Sequence, residues 1–213
     1  MAGEHIFLAE IEANPKPAPY ADAIAAATQS GTEYWGIWNI LAFHPAASHH
    51  LCVLSHELMH KQAPISAALR ELIAAYTSSL NDCAFCRNAH AAVATQLYGD
   101  REFVRGVLHD PQSSALDPNE KALLRFVRRL TLEPGTITEQ DTAGLKQAGW
   151  DEPSICYAIS ACTLFNFYNR FVLGKRVKLV SAEAFDRLRA RMAQTGYSRE
   201  QPARSHKEAA IHA

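Results

Sequence analysis

Prolines and glycines fall between stretches of 3.6-residue apolar periodicity along this 213-residue chain, and no alternating β-branched run is long enough for a strand. That punctuation predicts an all-α fold. The helical segments read as 20–29, 32–43, 47–61, 66–80, 83–98, 100–108, 118–132, 139–147, 152–173 and 182–194. Residues 1–19, with Pro15, Pro17 and Pro19, read as an extended arm. One domain is expected over 20–195. The stretch 196–213 is polar and without a stripe, which predicts a frayed or partner-bound tail.

Several boundaries carry a local mechanism. Asp117, Pro118 and Glu120 stand where a capping box wants an acceptor, a first-turn proline and a reciprocal acid. Pro134 and Gly135 stop the helix that follows, and Thr138 and Asp151 read as the next two N-caps.

With 48% apolar residues a chain of this length can build a core without disulfides. Its 21 basic and 22 acidic side chains form no basic block, so nucleic acid is not an expected partner. The longest apolar-leaning stretches, Ile155–Phe165 and Leu51–Met59, contain polar residues and fall short of the ~20 needed to span a bilayer. The first residues lack the basic and apolar regions of a secretory signal, and five cysteines do not make an extracellular scaffold. A cytoplasmic location is the expectation.

The chemistry is concentrated between Glu71 and Gly99. Cys83 and Cys86 form a CxxC, and His90 follows Cys86 by four residues. With Asp82 as N-cap, both cysteines fall in a first helical turn, where free N–H groups favour thiolate over thiol. His90 shares their face. Folding 66–80 against 83–98 about Asn81–Asp82 brings Glu71 to the height of His90 within ~3 Å, at ~1.5 Å rise per residue. Ala67, Ala68, Ala74, Ala75 and Ser78 are small enough to let the two helices approach. The expected result is a buried carboxylate beside an imidazole beside two thiols, a proton relay ending at sulfur. The same CxxCxxxH could also supply three ligands to a structural or sensory zinc, with Glu71 or an outside residue as the fourth.

The spacing E-x11-C-x2-C-x3-H, filled by Glu71, Cys83, Cys86 and His90, resembles the active-site pattern of the AhpD-like alkylhydroperoxidases, within the carboxymuconolactone decarboxylase superfamily. The stretches LDPNEKALLRFVRRLT, TEQDTAGLKQAGWDEPSI and FNFYNR resemble the C-terminal helices of its peroxidase-related branch, so the likeness spans roughly 55–175. The resemblance implies that Cys86 attacks a small organic hydroperoxide or hydrogen peroxide to give a sulfenic acid. Cys83 would then close a redox-active Cys83–Cys86 disulfide, with Glu71 and His90 removing the thiol proton. It implies no bound cofactor, an external dithiol reductant (a dithiol protein or a lipoyl-type donor) and a homo-oligomer. Helix position alone favours Cys83 as the nucleophile. Decarboxylase relatives lack the CxxC, which argues against lactone decarboxylation, although acid–base chemistry by Glu71 and His90 alone stays a second alternative.

His56-Glu57-Leu58-Met59-His60 matches HExxH, but Ala63 and Ser66 replace the Gly and His of the extended metzincin pattern and Pro64 ends the helix. No catalytic zinc is expected there. Cys52, Cys156 and Cys162 read as buried small hydrophobes, and Trp35, Trp38 and Trp150 as core or interface.

Overall fold

The computed structural model describes residues 6–17 and 19–197. Eleven α-helices run through these residues, with no strand among them: α1 (Ala9–Ala13), α2 (Pro19–Gln29), α3 (Ile37–Phe43), α4 (Pro45–Met59), α5 (Ala67–Leu80), α6 (Ala84–Tyr98), α7 (Arg101–His109), α8 (Pro118–Leu132), α9 (Glu139–Gln147), α10 (Glu152–Gly174) and α11 (Ala182–Thr195). A single 3-10 turn, Pro134–Thr136, joins α8 to α9.

The capping chemistry expected from the sequence operates. Asp117 and Glu120 make a reciprocal box at the start of α8, Thr138 and Asp141 another at α9, and Asp151 accepts from Ser154 N at α10. Two expectations at the N-terminal end need correction. The arm is not extended throughout, because Leu8 O accepts from Ile11 N and Glu12 N and Glu12 reaches back to Ile6 N, which winds Ala9–Ala13 into a turn and a half. The helix expected over 32–43 begins only at Ile37, where residues 32–36 spend their apolar side chains on packing, with Tyr34 and Trp35 buried.

The core has two lobes. Leu72, Ile73, Leu123, Leu124, Val127 and Phe165 centre one lobe, built by α5, α8 and α10. Trp35, Trp38, Phe85, Val93, Phe185 and Met192 centre the other, where α11 closes over α6 and the α3 aromatics. The hairpin of α5 and α6 is the most extensive helix pair of the fold, as the small residues on the facing side of α5 lead one to expect. It stands at the seam between the lobes. No helix among the described residues is long and apolar enough to cross a membrane.

Candidate active site

The hairpin turn sets the position of both thiols. Asn81 ends α5, Asp82 takes the left-handed conformation at φ 54°, and Cys83 N bonds Ser78 O at 2.9 Å while Asp82 N bonds Ser79 O at 3.2 Å. This is a Schellman stop, in which Asp82 fills the left-handed place usually given to glycine. Asp82 is therefore not the N-cap of α6, as the sequence reading has it; Cys83 is. The correction moves each cysteine one step towards the helix end, with Cys83 at the N-cap and Cys86 in the first turn.

The turn is held from behind by amides. Asn81 Nδ2 donates to Asn169 Oδ1 at 2.9 Å and Asn166 Oδ1 at 3.1 Å, and Asn169 Nδ2 donates to Ser78 Oγ at 2.9 Å. The polar edge of FNFYNR thus lines the site from within the chain. Asn169 also hydrogen-bonds the thiols, favouring the thiolate at each.

All four residues expected at the site come together, and all are buried, with Glu71 2%, Cys83 1%, Cys86 3% and His90 6% exposed. His90 Nδ1 lies 2.7 Å from Glu71 Oε2. A carboxylate on Nδ1 fixes the proton there and leaves Nε2 as the basic nitrogen. The ring is wedged edge-on against Phe165, centroids 4.2 Å apart.

The two sulfurs differ. Both are free thiols. The Cys86 thiol facing it, the Cys86 backbone N–H, the Asn169 amide and the Arg87 guanidinium together draw the Cys83 thiol below its ordinary range, against the cost of burial. The Cys83 sulfur and burial push Cys86 well above that range. The two thiols thus titrate as one coupled pair, with Cys83 eased toward thiolate and Cys86 held away from it.

Each thiol meets a different hollow. Cys86 and His90 line a largely apolar cavity of about 90 Å³ whose walls include Trp35, Trp38, Leu41, Phe85, Phe165 and Met192. Cys83 lines a second, more open cavity of about 290 Å³ together with Phe7, Leu173, Arg176 and Lys178.

One site residue escapes the sequence reading. Tyr197, assigned there to the frayed tail, donates its hydroxyl to Glu71 Oε1 at 2.6 Å and stands 3.1 Å from His90 Nδ1. A single tyrosine in a polar segment carries no periodic signal that could have marked it. The rest of the expected tail, 198–213, lies outside the described residues.

The remaining motifs separate from this centre. The His56 and His60 rings lie at a tilt with centroids 4.9 Å apart at the C-terminal end of α4, and no three His, Cys, Asp or Glu side chains among the described residues converge as a metal site. Of the cysteines expected to be buried, Cys162 is, against Thr131 Oγ1 at 3.3 Å. Cys52 is half-buried beside the Tyr20 hydroxyl at 2.7 Å, and Cys156 is exposed on the outer face of α10. Trp35 and Trp38 are in the core, whereas Trp150 is half-buried and donates to Asn119 O at 2.9 Å.

Residues 45–129 match the carboxymuconolactone decarboxylase family. A curated relative, the uncharacterized protein YdfG of Bacillus subtilis, is 28% identical over 119 residues, 55% of this chain and 80% of that protein. Among solved structures, an uncharacterized peroxidase-related protein from Silicibacter sp. superposes with TM-score 0.69 at 23% identity, covering 79% of this chain and 90% of the other. An alkylhydroperoxidase AhpD core from Ralstonia eutropha gives 0.67 at 19%, covering 78% and 86%. The debrominase Bmp8, as a cysteine-to-alanine variant in complex with 2,3,4-tribromopyrrole, gives 0.61 at 18%, covering 74% and 81%. At these identities the structural likenesses speak for the fold alone. The chain thus shares the all-α AhpD-like fold, and its residues 45–129 carry the likeness to the carboxymuconolactone decarboxylase family.

Proposed function

We propose that this chain is a thiol peroxidase that reduces small organic hydroperoxides or hydrogen peroxide through a Cys83–Cys86 disulfide cycle. The observation that carries the reading is the asymmetry of the dithiol. Cys86 lines the apolar cavity together with His90, and burial beside the Cys83 sulfur disfavours its thiolate. A buried thiol in that state needs a base, and His90, with Nδ1 tied to Glu71, presents Nε2 for the purpose.

The proton of Cys86 passes to His90, whose positive charge Glu71 stabilises. Cys86 Sγ then attacks the terminal peroxide oxygen; the O–O bond breaks, the alkoxide takes a proton to leave as alcohol, and sulfur becomes a sulfenic acid. Cys83, the sulfur on which charge is favoured, attacks that sulfenic sulfur and expels hydroxide, which leaves as water. The sum is ROOH plus two thiols giving ROH, water and one disulfide. An external dithiol, protein-borne or lipoyl-type, restores the pair by exchange and is itself oxidised. We further propose a homo-oligomer in a reducing cytoplasm; Val53 and Leu54 on α4 and Phe167 on α10 are exposed apolar side chains suited to a subunit contact.

An aryl halide is a second substrate class for the same dithiol. The cavity is walled by aromatic rings, and a debrominase shares the fold. There the two thiols would supply two electrons, carbon would exchange bromide for a proton, and the same disulfide would form.

The test is peroxide consumption with cumene hydroperoxide and dithiothreitol. Cys86→Ser is expected to abolish turnover, and Glu71→Gln and His90→Asn to lower kcat/KM by about 10²-fold or more, the usual scale for a lost acid–base group. Turnover that survives in Cys83→Ser/Cys86→Ser would replace this reading with acid–base chemistry by Glu71 and His90. Inactivity toward peroxide with stoichiometric oxidation by a bromopyrrole would favour the dehalogenase.

A further inference from the structure

We infer that Tyr197 is a positioning residue of the relay, delivered into the site by a glycine hook at the end of α11 and required to keep the Glu71–His90 pair in its working charge state. The inference rests on the reading of the dithiol as the reacting centre, and it adds a residue from outside the family-matched segment 45–129.

The path of the chain is specific. Ser181 caps α11 through Ala184 N at 3.2 Å, and Phe185 and Met192 fasten the helix over α6. At its end Gly196 takes φ 68°, ψ −151°, a conformation that is essentially glycine's alone. A Cβ built there would lie 2.5 Å from His56 Nδ1 and 2.6 Å from His60 Cγ. The chain thus passes so close to the His56 and His60 rings that a β-carbon at this position would force them to move. One residue later the Tyr197 hydroxyl is on Glu71. The HExxH match acquires a structural role here, since its two histidines form the wall the hook runs along.

The geometry divides the Glu71 carboxylate between two donors, His90 Nδ1–H on Oε2 and Tyr197 O–H on Oε1. The tyrosine ring lies nearly parallel to that of His90, at 12°. Inside a buried site, a carboxylate oxygen without a donor disfavours the charged form. Without the tyrosine, Oε1 loses its donor and the carboxylate is held against the imidazole through Oε2 alone. The other groups around this cluster are Arg70 on α5, Tyr157 and Tyr168 on α10, Cys86 on α6, and His56 and His60 on α4. Arg70, itself buried, spends its guanidinium on the Leu58 and Lys61 carbonyls and does not replace the donor on Oε1. Tyr197 keeps its own proton, since burial and the Glu71 charge hold it well above the ordinary tyrosine range.

Tyr197→Phe keeps the ring and removes only the donor. Two readouts are compared in the full-length protein against pH: kcat/KM for cumene hydroperoxide, and the rate of iodoacetamide alkylation at Cys86 followed by mass spectrometry. The expected result is a loss of about tenfold near neutral pH, the scale of one hydrogen bond to a charged group, and an acid limb moved up by about one pH unit in both profiles. Gly196→Ala, which displaces the hydroxyl without deleting it, should move both profiles in the same direction; should that variant fail to fold, Tyr197→Phe alone decides. Profiles of Tyr197→Phe that superimpose on wild type, or that fall equally at every pH, overturn the inference. A wild-type protein that turns over no peroxide but whose Cys86 alkylation profile still shifts in Tyr197→Phe would keep the hook and discard the peroxidase.

Discussion

Two cysteines three residues apart in sequence carry opposite tendencies because of what each one faces. Cys83, at the helix terminus, collects hydrogen bonds from the Cys86 thiol and backbone and from Asn169; Cys86, a turn inside, sees mainly a neighbouring sulfur and apolar walls. Asn169 is fully buried and also joins Ser78 to Asn81, so it serves the turn and the thiolate together. Asn169→Ala is therefore expected to do two separable things. It should cost about 1–3 kcal/mol in urea unfolding, because buried partners lose their bonds. It should also raise the pH at which the pair loses its first proton, read as thiolate absorbance at 240 nm. The sign follows from the group involved: a donor to the thiolate favours the charged form, so its removal delays ionisation to higher pH. A titration unchanged by the substitution would remove Asn169 from the electrostatics of the site. At this scale the sequence was legible where partners share a helix or a hairpin register, as for Glu71 and His90, where 3.6-residue arithmetic suffices. Asn169 was legible only as part of the polar edge of FNFYNR, a subunit contact or pocket wall, and Tyr197 not at all, since it reaches the site from beyond α11 across a distance that no periodicity encodes.

The helical elements were nearly all readable in advance, because capping residues and prolines mark their ends and the stripes are regular. Asp117, Thr138 and Asp151 cap the helices expected of them. Asp82 is the instructive exception. As a good N-cap residue type it reads as the start of α6, yet its left-handed φ makes it the stop of α5, and a turn this tight leaves the capping place to Cys83. Aspartate tolerates that conformation at a cost that glycine avoids. Asp82→Gly, at an exposed position, is therefore expected to stabilise the protein by about 0.5–1 kcal/mol in urea unfolding. Destabilisation by a similar amount would mean that the carboxylate, and not the backbone conformation, is what the turn requires. The short helix α1 was missed for a different reason: three prolines dominate the reading of the arm, while the turn depends on the backbone of Leu8 and the side chain of Glu12.

Across the whole molecule the site lies on a seam. One lobe supplies α5 and α10, with Glu71 and the Phe165 ring that wedges His90; the other supplies the aromatic cavity walls and α11. The fold class followed from periodicity, but the closure of the cavity by α11 did not, since α11 shows only that it has an apolar face and not where that face docks. The arrangement also sorts the five cysteines by environment: two converge at the hairpin, Cys52 lines the same cavity as Cys86, and Cys156 and Cys162 stand apart. The central claim, that the hairpin dithiol is the oxidisable centre, is tested by counting free thiols before and after one equivalent of cumene hydroperoxide and mapping the product by mass spectrometry. Two of the five thiols should disappear into a single Cys83–Cys86 bridge, with Cys52, Cys156 and Cys162 still alkylatable after unfolding. Five thiols remaining, or oxidation confined to Cys52 or Cys156, would contradict it.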